Sequence, residues 1–169
     1  MAKAHKKLDE LFHDTLKEIY FAERKILSTL PKIAKAAHNQ ELKAAFEKHY
    51  RETEGHVERL EQVFAAIKQK PQGKTCAAVV GITDEGAEIM EKYKGSPALD
   101  AGLLAAAQAV EHYEISRYGT LRTWAEELGL TEAATLLEET LEEEEATDAA
   151  LTEIAESVVN QEAQEMAAE

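Results

Sequence analysis

With 169 residues, the chain is long enough for one domain with a sizeable core. Its 33 Asp and Glu outnumber 19 Lys and Arg, and the net charge of −14 argues against the basic face that non-specific nucleic-acid binding requires. Cys76 stands alone, which excludes an intrachain disulfide and a cysteine-built metal site, and no apolar run approaches the roughly 20 residues that cross a bilayer.

Ala, Leu, Glu and Lys dominate, with only 8 Gly and 3 Pro, a composition that favours long helices over sheet. The polar start "MAKAHKKLDELFHD" lacks the apolar centre of a secretory signal and runs directly into an amphipathic pattern, so a cytoplasmic protein without a membrane partner is expected. The charge is unevenly placed. Residues 123–169 hold 15 acids and no base, whereas residues 1–122 balance at +1. Most glutamates of "EETLEEEE" read as a solvated helix face.

A first helix starts near Lys6, with Leu8, Leu11, Phe12, Leu16, Ile19, Ile26, Leu27 and Leu30 at a 3.6-residue period. Pro31 is expected to bend or end it. Asn39 caps a second helix that runs to about Lys70, where "KPQGK" stops it. Residues 71–96 form one long connection carrying a short helix, capped by Thr83 and running from Glu85 to Lys92. "GSP" at 95–97 opens a third long helix to about 127, Gly129 closes it, and Thr131 caps a fourth that reaches about Asn160. Residues 1–160 thus form one domain, with 161–169 a frayed tail. Two tight hairpins joined by a long crossover are the ferritin-like arrangement of the all-α four-helix bundle.

Each inner face is interrupted by polar groups. The first stripe contains Glu23, the second His49, Glu52 and His56, the third Glu111 and Glu114, and the fourth Glu144 and Asp148. Glu23 and Glu52 are nearly equidistant from the turn near Ala37, and Glu111 and Glu144 from the turn at 123–131. Packed hairpins would bring these groups to one height. Buried carboxylates are costly unless they neutralise or recruit cations. Two divalent ions, with His56 as a neutral nitrogen ligand, would offset the charge, and this donor set suits Fe, Mn or Zn. The predicted ligands are Glu23, Glu52, His56, Glu111, Glu114, Glu144 and Asp148, around two Fe or Mn ions per chain.

The pattern departs from the strict bundle motif of two Glu and two Glu-x-x-His. The second helix offers Glu52 with His56, or His49 with Glu52; the fourth offers no histidine. His49 reads as a supporting or satisfied core histidine, and His112 as an outer hydrogen-bonding group. Tyr20 and Tyr118 read as core packing one turn from the site. The rival reading is a polar core network in which Arg59, Arg117 or a histidine pairs the acids.

The segments "FEKHYRETEGHVERLEQVF", "DAGLLAAAQAVEHYEISRYGTLRTWAEELG" and "LLEETLEEEEATDAALTEIA" resemble the YciE/YciF family of bacterial stress-response proteins, and with "LDELFHDTLKEIYFAERKILSTLPKIAKAA" the likeness extends to about residue 157. The resemblance implies a ferritin-like bundle, a metal site between the helices, homodimers, and ligands Glu23, Glu52, Glu111, Glu114 and Glu144.

Three functional readings follow. The first is a di-metal stress protein that oxidises Fe(II) or consumes O2 or peroxide. The second is an iron-storage subunit, which a native mass no larger than a dimer would exclude. The third is a metal-independent interaction module that uses its acidic last helix on a basic partner.

Overall fold

The structure, a computed structural model, describes residues 7–165, the side chain of Glu165 excepted. Among these residues every regular element is helical. Four long helices, α1 (Leu8–Ala36), α2 (Gln40–Ala66), α4 (Leu99–Glu127) and α5 (Thr131–Ile154), form the bundle, and α3 (Ala77–Lys92) lies in the crossover. A π-helical turn, Ala155–Val159, joins α5 to the short α6 (Asn160–Glu165). No helix is long and apolar enough to cross a membrane.

Helix α1 packs against α2 and α4, and α5 packs against the same two, so α1 faces α5 and α2 faces α4 across the core. Hydrogen bonds at one end set the directions. The backbone N–H groups of His38 and Asn39, where α1 passes to α2, donate to the Asp100 carboxylate at the start of α4. The Asn39 side chain donates to Glu162 in α6. Neighbouring long helices are therefore antiparallel, which yields two hairpins with a crossover along the bundle, the ferritin-like arrangement.

Capping fixes the ends. Asn39 Oδ1 accepts from the N–H of Glu41 and Leu42, as its place before α2 predicts. Gly129 takes φ of +70° beyond α4, a conformation that suits glycine. Pro31 neither ends nor replaces a turn of α1, which continues to Ala36. It sits on the exposed face, while Leu30 and Ala34 on either side of it are buried and hold the helix to the core. Helix α2 stops at Ala66, short of Lys70, where Lys68 turns to φ of +57°.

The crossover helix is longer than its predicted span. It begins at Ala77, with Cys76 preceding it, and Thr83 does not cap it. The Thr83 hydroxyl instead donates back to the carbonyls of Val79 and Val80. Burial of Val79 pulls the first turns onto the bundle, a tertiary gain that outweighs the weak local signal of "AAVVGITDEG". Gly102 allows close approach: a Cβ there would lie 2.6 Å from Cγ2 of Ile89 on α3. Thr131 is the first residue of α5 and its side chain makes no capping bond. The predicted tail from 161 is helical to Glu165, and residues 166–169 lie outside the described residues.

Candidate metal centre

Helical periodicity delivers acids and histidines to the bundle axis at mid-height. On α1, Glu23 lies between Ile19 and Ile26 on the core stripe and is 0% exposed. On α2, His49 and His56 are seven residues apart, two turns along one face, and both are buried. On α4, Glu111 and Glu114 follow Ala107 into the core, with Tyr118 one turn on. On α5, Glu144 is 0% exposed.

These side chains converge as two adjoining sets. Donor atoms of His49, Glu111, Glu114 and Glu144 lie within 4.8 Å of one another, as do those of Glu23, His56 and Glu144. Glu144 belongs to both. His49 Nε2 stands 3.2 Å from Glu111 Oε1, and His56 Nδ1 stands 3.1 Å from Glu144 Oε1 and 3.5 Å from Glu23 Oε1. None of these contacts has the alignment of a hydrogen bond. Both oxygens of Glu114 and Glu144, Oε2 of Glu23 and Glu111, and both ring nitrogens of His49 are buried without a partner.

The outer side of the cluster is well ordered by hydrogen bonds. The Tyr118 hydroxyl donates to Glu23 Oε1, while Oε2 is left without a partner. His56 Nε2 lies 2.8 Å from Glu143 Oε2. Arg59 in turn grips Glu143 with two guanidinium nitrogens, at 3.0 and 3.1 Å, and donates to Thr140 at 2.7 Å. The His56 ring is thereby fixed with Nδ1 facing inward, the role that an outer carboxylate plays for a metal-binding histidine.

Without a cation the cluster must hold protons. Burial, with Glu144 next, raises Glu111 well above the usual carboxylate range. Burial, with Glu23 and Glu144, does the same to Glu114. Burial opposes charge on His56, but Glu23 and Glu144 override it and push the ring up to about 11. His49 is lowered, chiefly by burial, and so favours the neutral form that ligates metal. Burial alone would raise Glu144, yet contact with His56 holds it low.

Five predicted ligands, Glu23, His56, Glu111, Glu114 and Glu144, are therefore brought together. Glu52 and Asp148 lie outside both sets. Glu52 is half-buried and gives Oε1 to Lys48, although its Oε2 is buried and unpartnered. Asp148 accepts from Gln108 at 3.1 Å and lies 3.1 Å from His112 Nε2, towards the surface. His49, read from sequence as a supporting residue, enters the cluster itself. The signal for it was the seven-residue interval to His56. Tyr20 turns away and donates to Glu61 at 2.8 Å.

The residues fit a pair of divalent ions. Four fully buried carboxylates, Glu23, Glu111, Glu114 and Glu144, supply four negative charges, and two divalent ions would supply four positive ones. Each residue of the two sets brings one donor atom within 4.8 Å of the others of its set, and carboxylate with imidazole is a donor set for Fe, Mn or Zn.

Residues 7–164 match the family model described as a domain of unknown function, DUF892. The chain belongs to the DUF892 family. Within it, the chain is 44% identical to protein YciF of Escherichia coli over 163 residues, 96% of this chain and 98% of that one. The crystal structure of YciF, described as a stress protein, superposes with a TM-score of 0.88 over 93% of this chain and 99% of that one. YcfI from Rhodopseudomonas palustris, for which a structural role has been proposed, is 40% identical, with a TM-score of 0.84 over 90% of this chain and 97% of that one. A Xanthomonas campestris protein at 19% identity shares the fold, with a TM-score of 0.74. The YciE/YciF resemblance read from the sequence is thus established, and the DUF892 chain is a relative of a stress protein.

Proposed function

We propose that this DUF892 protein is a di-metal stress protein that binds two Fe or Mn ions and uses them to oxidise Fe(II) or to consume O2 or peroxide. The observation that carries the reading is the set of buried, unpartnered donor atoms on Glu23, His49, His56, Glu111, Glu114 and Glu144. A structural core would satisfy such atoms or replace them with apolar groups.

Glu144 would bridge the two positions, since it belongs to both donor sets. His49, Glu111 and Glu114 would complete one position, and Glu23 and His56 the other. When bound, the metal pair supplies one-electron chemistry towards O2 or peroxide. The protein contributes the rest. Glu143 and Arg59 hold the His56 tautomer, and Tyr118 holds Glu23. Leu60, Leu104 and Leu141 belong to the buried apolar core of the same helices.

Anaerobic loading with Fe(II) or Mn(II), followed by elemental analysis of wild type and Glu111→Ala, tests the reading. About two ions per wild-type chain, reduced in the variant, are expected from the two donor sets. A wild type that retains neither metal refutes it, and the acids would then form a proton-sharing core network.

A further inference from the structure

A second feature adjoins the cluster. Between α3 and the bundle lies a cavity of about 40 Å³ whose lining includes His49 and Glu111 of the cluster. Its walls are Leu30, Phe46, Ile82, Ala107, Val110 and Leu151. Three threonines, Thr29, Thr83 and Thr147, also line it. The Thr29 hydroxyl donates to the Lys25 carbonyl, and that of Thr83 to Val79 and Val80. Small residues keep the space open: a Cβ on Gly86 would meet the Ala106 methyl at 3.6 Å.

A space of this size exceeds the roughly 10–15 Å³ that one water requires, yet water also needs two or more polar partners, and apolar cavities of this kind stay dry and accept apolar guests. Hydrogen peroxide has two hydroxyl groups that would forfeit their hydrogen bonds along these walls. Dioxygen has no hydrogen to donate and loses almost nothing. The buried side-chain atoms without a partner among the lining residues are on His49 and Glu111.

Resting on the metal-centre reading above, we propose that this cavity is the holding and access site for dioxygen, delivering it to the His49–Glu111 side of the cluster, and that α3 is its outer wall. The site selects O2 over peroxide by the scarcity of polar partners along its aliphatic and aromatic walls, which leaves a peroxide hydroxyl unpaired until it reaches His49 and Glu111. Ile82 on α3 controls its width, and Gly86 supplies the room beside Ala106.

Xenon under pressure is the probe, applied to crystals of the metal-loaded protein. Xenon is expected between Phe46, Ile82 and Val110 in wild type and absent in Gly86→Leu, whose metal content should match wild type. In the same variant the ratio of O2-driven to peroxide-driven Fe(II) oxidation should fall about tenfold, equivalent to about 1.4 kcal/mol of added barrier. Ile82→Ala, which removes bulk and keeps the helix, should take up more xenon and raise that ratio. No xenon in wild-type protein of normal metal content overturns the passage. So does an unchanged ratio in both variants. Absence of metal from wild type refutes the metal centre and the destination of the passage with it.

Discussion

Replacing Glu114 by methionine should stabilise the metal-free protein while impairing metal binding. Both Glu114 oxygens are buried without a partner, and the residue is 0% exposed. Its carboxyl is raised well above its usual range by burial and by Glu23 and Glu144, so without metal the site favours its protonated form. The exchange therefore removes a neutral, stranded polar group and inserts an unbranched apolar side chain of similar length. A stranded buried polar group costs about 1–3 kcal/mol, and a near volume-conserving exchange returns little of it as strain. For a domain of this size each kcal/mol moves Tm by about 2–4 °C. Metal-free Glu114→Met should thus melt several degrees above metal-free wild type, and metal loading should raise its Tm far less than that of wild type. Differential scanning calorimetry of both proteins, with and without metal, is the assay. A metal-free variant less stable than wild type by about 2 kcal/mol or more would place Glu114 in a satisfied network, and the reasoning would fail.

Other consequences follow from the same geometry. Metal-free protein should lose stability as pH rises from about 6.5 to 8.5. The folded state holds the His56 proton, with the ring pushed up to about 11, through a range in which the unfolded chain releases it, and the upward shifts of Glu111 and Glu114 act in the same direction; each such group contributes up to about 1.4 kcal/mol per pH unit. His49, lowered by burial, opposes this trend only below its usual value of 6.5. Thermal melts across that window check it, and a flat or rising Tm would contradict it. Metal loading at pH 7 should release protons from the same three groups, read as a dependence of calorimetric heat on buffer ionisation enthalpy. Glu143→Ala should weaken metal affinity about 10–100-fold by freeing His56 from the carboxylate that Arg59 holds against it. Competition with a chelator measures it, and unchanged affinity would remove Glu143 from the account. Gly102→Val should destabilise the fold by about 1–3 kcal/mol through collision with Ile89, seen as a lower denaturation midpoint.

Much of this was legible in the chain because the two hairpins are symmetric about their turns. Equal distances from the turn near Ala37 placed Glu23 level with the second helix's polar groups, and the Gly129 turn did the same for Glu111 and Glu144. Periodicity was less decisive within α2. On a helix of 3.6 residues per turn, His49 and His56 differ by about 20° in direction, whereas Glu52 lies about 40–60° to one side. That rotation carries Glu52 to the half-exposed flank where Lys48 meets it. Asp148 is likewise turned about 40° from Glu144, towards Gln108 and His112 on α4. Spacing at i+3 or i+4 groups these residues on one face and does not encode that angular difference. The full length of α3 was not legible, since its early turns owe their helicity to the bundle surface that buries Val79.

Anomalous scattering from crystals of the Fe- or Mn-loaded protein, recorded at the absorption edge of the metal used, tests the central claim most directly. Two metal peaks inside the bundle are predicted, both within ligand distance of Glu144, one beside His49, Glu111 and Glu114 and the other beside Glu23 and His56. A core without metal peaks, or metal held only at the Asp148–His112 surface pair, would contradict it.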